Sequence, residues 1–392
     1  MKEVALMKKN SFFRGAAIGF LLSTIVLLGV GFVDKYYYVD KKLLAIESVI
    51  SNYFVGDVSK EKMQEGIYKG FVAGVGDIYT NYYTSEEYDS FKEKSSGVYA
   101  GIGVQMTVDA TDNTIVVTEV FENSPAKEVG ILPKDKIIKA DGQTITGDDF
   151  DNVPKMIKGP PDTTVNVSIY RPSEQKVYDF VLTRKNITYP SVTSRMLEKN
   201  IGYIKITQFE ELTYDQFVKE LEALEKEKAK GLVLDLRNNP GGLLQVTTKI
   251  VDELIPEGLI VSTKDKNGKV EEIFADNKYN DIPIVILVNG DSASASEVLS
   301  GALKDHKRAQ LVGETTFGKG VVQSIVPLTD GSALKLTTAK YFTPSGVCIQ
   351  GIGIEPNYKV SLSTSALTKG RLEDHEDAQL QKAIEVLKKE VK

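Results

Sequence analysis

The chain is poor in the residues that most often bind metals or close disulfides. Among its 392 residues stand one cysteine, Cys348, and two histidines, His306 and His375. A single cysteine excludes a disulfide framework within the chain and is most simply a packed residue. So small a stock of His and Cys nearly excludes a zinc site of the usual ligands, and neither a metal nor an organic cofactor is expected. Neither histidine stands in a recognisable triad context, which disfavours a Ser-His-Asp hydrolase. There is no long basic run and the formal net charge is −6, so nucleic acid is not expected as a partner. What remains, 42% hydrophobic and 26% charged residues, describes an ordinary globular protein long enough for about two or three domains.

The N-terminal region has a different character. Residues 1–14 carry Lys2, Lys8, Lys9 and Arg14, and the run from Gly15 to Val33 has no charge at all. Such a run approaches the 20 or so residues of a membrane-spanning helix, and the basic residues before it place the N-terminus in the cytoplasm. An uncleaved single-pass anchor over 15–33 is favoured over a cleaved signal peptide, because no small-x-small cleavage site precedes Asp34. The rest of the chain is then extracytoplasmic. Residues 35–95 read as a helical region with two apolar stripes expected to pack: Leu43, Leu44, Ile46, Val49 and Ile50, then Met63, Ile67, Phe71 and Val72. Residues 97–184 read as a separate module and residues 186–360 as an α/β core of alternating strands and helices. Residues 361–392 read as a Ser/Thr-rich linker and a last helix, which docks on the chain's own body or on a second copy in a homo-oligomer.

The richest stretch for chemistry is Ile284–Gln323. An apolar run, Ile284–Val288, predicts a buried strand. Asn289-Gly290-Asp291 breaks it, and Ser292-Ala293-Ser294-Ala295-Ser296-Glu297 follows. Then Val298, Leu299, Ala302 and Leu303 recur at helical spacing. Small hydroxyl residues thus sit where a strand turns into a helix, where free N–H groups and the helix dipole favour a developing negative charge. Further on, Lys319, Val321 and Gln323 share one face if the strand starts there. A serine needs a base to become a nucleophile, and a lysine can be that base when burial lowers its pKa. Ser294-x-x-Glu297 is equally a capping box, and the residues alone do not choose among Ser292, Ser294 and Ser296.

Ser-Ala-Ser-Ala-Ser-Glu, then Thr316-Phe317-Gly318-Lys319-Gly320-x-Val322-Gln323, with Leu234-Asp235-Leu236-Arg237-Asn238-Asn239-Pro240-Gly241-Gly242 upstream, resembles the C-terminal processing (tail-specific) serine protease family. That resemblance implies a crotonase-like protease core with Ser294 as nucleophile, Lys319 as general base and Gln323 holding the lysine. It implies an oxyanion hole from the N–H of Ala295 and one from the Gly241-Gly242 turn. An aspartate at the position of Asp305 is a weaker candidate, and Asp235 with Arg237 reads as a structural ion pair. Gly76-Asp77-x-Tyr79-Thr80 resembles the family's N-terminal helical region and is expected to support the fold. Within 97–184, Gly101-Ile102-Gly103-Val104, Ser124-Pro125-Ala126 and Asp141-Gly142 resemble a PDZ domain of the bacterial protease type. Such a domain captures a peptide C-terminus with loop N–H groups and a sheet edge. For Arg171 two readings stand: a switch that reaches the protease core when peptide binds, or a solvated arginine at a hairpin end. The whole implies an α/β enzyme that takes protein or peptide C-termini as substrate. The alternatives are an inactive PDZ scaffold at the membrane, against which the intact Ser294, Lys319 and Gln323 argue, and a small-molecule acyl-transfer enzyme, against which the PDZ domain argues.

Overall fold

A computed structural model describes residues 40–198, 200–363 and 372–391. The expected anchor at 15–33 lies outside the described residues; among those described, no helix is long and apolar enough to cross a membrane. The chain divides into two units, Met1–Phe71 and Val72–Lys392.

In the first unit, residues 40–53 are helical, and a second helix, Lys60–Ala73, begins there. The helices are where the periodicity puts them, but the packing expected of their stripes is not. Lys60–Ala73 has no buried residue, and Leu44, Val49 and Phe71 are 64%, 58% and 68% exposed.

The second unit contains the α/β core. Its six-stranded sheet runs, in spatial order, Val192–Glu198, Ile201–Ile206, Gly231–Asp235, Ile284–Val288, Ala309–Gly313 and Tyr358–Lys359. The first pair is antiparallel and the others are parallel. Every residue of Gly231–Asp235 and of Ile284–Val288 is buried, as in a sheet covered on both faces. Strand alternation then sorts them. Leu232, Leu234, Ile284, Ile286 and Val288 pack with Phe217, Leu221, Val298 and Leu299 of helices Thr213–Lys226 and Ala295–Asp305. Val233, Val285 and Leu287 pack with Leu380, Ala383 and Ile384 of the last helix, Ala378–Leu387. The C-terminal helix therefore docks on its own sheet. Asp235 and Arg237 form the expected ion pair at 2.7 Å. Arg237 also reaches Asp377 and Gln379, so the pair fixes where that helix begins. A second sheet, antiparallel, joins Asn81–Tyr83, Ala333–Phe342, Gly258–Asp265 and Val270–Ala275, with Val321–Pro327 also on Ala333–Phe342.

The module at 97–184 has its own core, built from Ile115, Val117, Ile137, Val165, Val167, Ile169 and Leu182. Its strand order is Val104–Asp109, Thr114–Val120, Lys136–Ala140, Thr164–Arg171, Lys176–Thr183. Ser124 caps the short helix Pro125–Glu128 by accepting from the Lys127 N–H, and proline fills the first helical position. A two-stranded neck of Val98–Gly101 paired with Lys185–Thr188 carries the module on the core. The neck starts at Gly97, whose φ of +71° ends helix Ser85–Ser96 in the left-handed region.

A buried carboxyl lies at the base of this neck. Glu210 is 8% exposed, its Oε2 has no hydrogen-bond partner, and a Cβ added at Gly97 would lie 2.7 Å from that oxygen. Burial pushes its carboxyl up to about 7. The unfolded chain releases this proton near pH 4.5 and the folded chain only near 7, so folding loses stability as pH rises across that window. Glu210→Gln removes the charge. Its advantage in thermal midpoint over the parent is expected to grow between about pH 5 and pH 7 and level off above, which melting curves across that range would check.

Candidate active site

Ser294 sits at the carboxyl ends of the buried parallel strands, where open α/β sheets bind ligands. Two turns meet there and are locked by asparagines. The Asn238 N–H donates to Asn289 Oδ1 at 2.9 Å, and Asn289 Nδ2 donates to Asn238 Oδ1 at 2.6 Å. Asn239, fully buried, donates from Nδ2 to the Ile206 carbonyl at 2.9 Å.

The hydroxyls within the motif are not equivalent. Ser292 and Ser296 are 0% exposed. Ser292 Oγ donates to the Leu236 carbonyl at 2.8 Å and Ser296 Oγ to the Asn239 carbonyl at 2.9 Å. They tie the serine turn to the Leu236–Gly242 turn, and only Ser294 stays partly accessible. Its φ of +54° and ψ of −112° are unusual for a residue with a Cβ and cost of order 1–3 kcal/mol. The conformation places it as N-cap of helix Ala295–Asp305. Asp305 lies at the other end of that helix, accepting from the Ser345 N–H at 3.0 Å, away from the serine.

The neighbouring backbone approaches the serine turn closely. Gly241, at φ +103°, lies so close that an added Cβ would come within 2.8 Å of the Ala293 carbonyl and 2.9 Å of the Ala295 nitrogen. Its own N–H, however, is taken by Asn239 Oδ1 at 2.8 Å. Of the pair of glycines expected to serve, Gly242 is thus the one whose N–H donates to no acceptor among the described residues, and Ala295 is like it.

Glu297 joins the serine to the lysine. The side chain is 0% exposed and its carboxylate accepts four hydrogen bonds. They come from Ser294 N at 2.8 Å, Thr316 Oγ1 at 2.5 Å, Gly318 N at 2.8 Å and Lys319 N at 2.8 Å. Tyr341, 3% exposed, closes the other side: its hydroxyl meets the carbonyls of Ser294, at 3.1 Å, and of Lys319.

Lys319 precedes the strand Val321–Pro327 rather than belonging to it. The alternation that put Lys319 on one face with Val321 and Gln323 therefore does not reach the lysine. The Gln323 amide donates to the Val321 carbonyl at 3.2 Å and does not hold the lysine. Lys319 Nζ lies instead 4.8 Å from the centre of the Tyr79 ring. Burial, and then the like charge of Lys335, hold its pKa below that of an ordinary lysine, against the opposing pull of Glu297 and Asp77.

A family model described as Peptidase family S41 matches residues 200–360, and a PDZ domain model matches residues 100–180. The Carboxy-terminal-processing protease of Bartonella bacilliformis is 37% identical over 318 residues, 79% of this chain and 72% of that protein. The chain belongs to the carboxy-terminal processing proteases. A second relative, the Carboxy-terminal processing protease CtpA of Bacillus subtilis, is 36% identical over 82% of this chain and 69% of its own length. A solved structure of a putative S41 protease from Bacteroides fragilis shares the fold, with a TM-score of 0.51 at 15% identity over 83% of this chain and 90% of that one. The protease is of the serine type.

In the PDZ domain of the protease, Gly101, Ile102, Gly103 and Val104 form the turn that leads into the edge strand Val104–Asp109. Ile102 is 1% exposed and belongs to the domain core. The N–H groups of Ile102 and Gly103 donate to no acceptor among the described residues. Arg171 is neither solvated nor at the protease core. Its guanidinium holds both oxygens of Asp135 at 2.8 Å and donates to the Gly130 carbonyl at 2.8 Å, all within the PDZ domain.

Sequence reasoning missed Glu297 as a link and did not single out Tyr341, and it named Tyr79 and Asn239 only within motifs, without these contacts. Only Glu297 carried a signal: it is the one charged residue between Asp291 and Lys304, in a helix otherwise fit for burial. In Glu297→Gln an NH2 group replaces an oxygen that accepts two hydrogen bonds and faces their donors. A loss of about 3 kcal/mol is expected, read as a lower denaturation midpoint, together with a fall in proteolytic rate of about tenfold or more.

Proposed function

We propose that the protein is a membrane-anchored endopeptidase that cuts proteins near flexible, apolar C-termini through Ser294 and Lys319. The observation that carries this reading is the selection among hydroxyls. Ser292 and Ser296 are buried and bonded, whereas Ser294 is accessible, in an unusual backbone conformation, beside the unpaired N–H groups of Ala295 and Gly242.

The chemistry follows from those positions. Neutral Lys319 takes the Ser294 proton as Oγ attacks the substrate carbonyl carbon. The carbonyl oxygen becomes an oxyanion between the Ala295 and Gly242 N–H groups, where one such donor is worth about 3–4 kcal/mol in comparable sites. The carbon–nitrogen bond breaks as the Lys319 ammonium protonates the leaving amine. Lys319 then deprotonates water, which attacks the ester carbon, and as the carbon–Oγ bond breaks the Lys319 ammonium returns that proton to Ser294 Oγ, freeing the acid product and neutral Lys319. Since the amine makes no hydrogen bond to Ser294 among the described residues, it swings from the Tyr79 ring toward Oγ for this step. The lowered Lys319 pKa supports the role, because it enlarges the neutral fraction near neutral pH.

The PDZ domain takes the substrate C-terminus. Its strand Val104–Asp109 is bonded on one side only, so a peptide can add to the open edge, with its carboxylate on the N–H groups of Ile102 and Gly103. Arg171 would act as a switch only after releasing Asp135. The uncharged run at 15–33 supports a single-pass anchor in the cytoplasmic membrane with the catalytic part outside.

Incubation of the full chain with a protein bearing a flexible apolar tail, its C-terminus free or amidated, tests the reading. Mass spectrometry should show the free tail trimmed faster than the amidated one. Ser294→Ala and Lys319→Ala should leave both intact, while Ser292→Ala and Ser296→Ala, if folded, keep measurable activity. The rate should rise with pH along a limb lying below the ordinary lysine range. Tail trimming by Ser294→Ala at the parent rate would overturn the assignment.

A further inference from the structure

The segment Gly76–Thr80 lies far from Lys319 in sequence, yet among the described residues it supplies the ring that lies against the lysine's amine. Its placement is not incidental. The following strand, Asn81–Tyr83, pairs in register with Ala333–Lys335, so the segment is fixed to the strand that also carries Tyr341 and borders Val321–Pro327. Thr80 is 6% exposed; its hydroxyl accepts from the Thr337 N–H at 3.1 Å and donates to Asp77 Oδ2 at 2.6 Å. Gly76, at φ +78°, makes the turn that precedes them. Tyr79 stands inside this brace with its ring face toward Lys319 Nζ at 4.8 Å.

A ring face attracts an ammonium and not a neutral amine. The other charges near Lys319 are known: Lys335, from the strand Ala333–Phe342, opposes its proton, while Glu297, from helix Ala295–Asp305, and Asp77, from the same segment as Tyr79, favour it. Neither carboxylate hydrogen-bonds to Nζ; those of Glu297 are turned to backbone N–H groups and the Thr316 hydroxyl. The ring is thus the group in direct contact with the amine.

We propose that Tyr79 is a positioning residue for the proteolytic reaction: its ring seats the Lys319 amine, and so sets where the base rests and how readily it gives up its proton. This rests on the reading of Lys319 as the base. Tyr79 itself touches no reacting atom of the substrate and acts through the lysine.

The test compares Tyr79→Leu, which keeps apolar bulk without the quadrupole, with Tyr79→Phe, which keeps the ring. For the full chain, the rising limb of kcat/KM against pH should move to lower pH by about 0.5–1 unit in Tyr79→Leu. The plateau kcat should fall about threefold or more, because the amine is no longer held. Tyr79→Phe should restore both. A second measurement does not depend on turnover. In a Ser294→Ala background, Lys319 is labelled with acetic anhydride across pH and the extent read by peptide mass spectrometry. Its midpoint should drop by the same amount with Tyr79→Leu and not with Tyr79→Phe. An unmoved labelling midpoint, or a phenylalanine variant that behaves like the leucine one, overturns the proposal. A midpoint that moves while the kinetic limb does not, or a Lys319→Ala enzyme that still cleaves, overturns the reading of Lys319 as base instead.

Discussion

The Glu297 carboxylate is the contact on which the site depends. A charge taken out of water is costly unless it is fully hydrogen-bonded, and here three backbone N–H groups and one hydroxyl supply those bonds. Because the donors come from Ser294, Thr316, Gly318 and Lys319, satisfying the charge also brings the start of one helix to the loop before the next strand. Neither segment can shift without exposing a donor or the carboxylate. Tyr341 repeats the arrangement with opposite polarity, its hydroxyl reaching carbonyls of the same two residues. The backbones of Ser294 and Lys319 are fixed from both sides, while the Lys319 side chain rests on the Tyr79 ring.

Around this clasp the packing is divided by role. The parallel sheet is buried on both faces, so the strand ends that carry Asn238 and Asn289 are rigid. The C-terminal helix belongs to that rigidity: Arg237 spans from Asp235 to Asp377 and Gln379. The PDZ domain has a separate core and hangs on a two-stranded neck. Near the start of that neck lies the Glu210 carboxyl, whose buried Oε2 has no hydrogen-bond partner among the described residues. The PDZ domain and the α/β core are thus two bodies joined through a narrow two-stranded connection.

Much of this was legible in the sequence, and the failures have physical causes. Fully apolar runs such as Ile284–Val288 announced buried strands because covered sheets leave no polar face to confuse the pattern. The serine motif, the Asn-Pro-Gly-Gly turn and the PDZ module were identified through their resemblance to a known protease family, since the residues alone did not choose among the three serines. The shared face of Lys319 and Gln323 was lost because the strand begins only at Val321, after the lysine, and nothing in the residues themselves marks that boundary. The sequence did not say which glycine of the Gly241-Gly242 turn has a free N–H, because a side chain from two residues back claims that of Gly241. Tyr79, read as support for the fold, touches the lysine because strands distant in sequence pair, which no local pattern reveals. The stripes at 43–50 and 63–72 have helical spacing, yet spacing states only that one face is apolar and not what covers it.

The most direct test of the account is to find where the acyl group goes. The full chain is quenched in acid during turnover of an activated peptide ester, and the labelled serine is located by peptide mass spectrometry. The account predicts a single acyl adduct on Ser294 that decays in the parent and fails to form in Lys319→Ala. An adduct on Ser292, Ser296 or any residue outside this turn, or one that forms equally fast without Lys319, would contradict it.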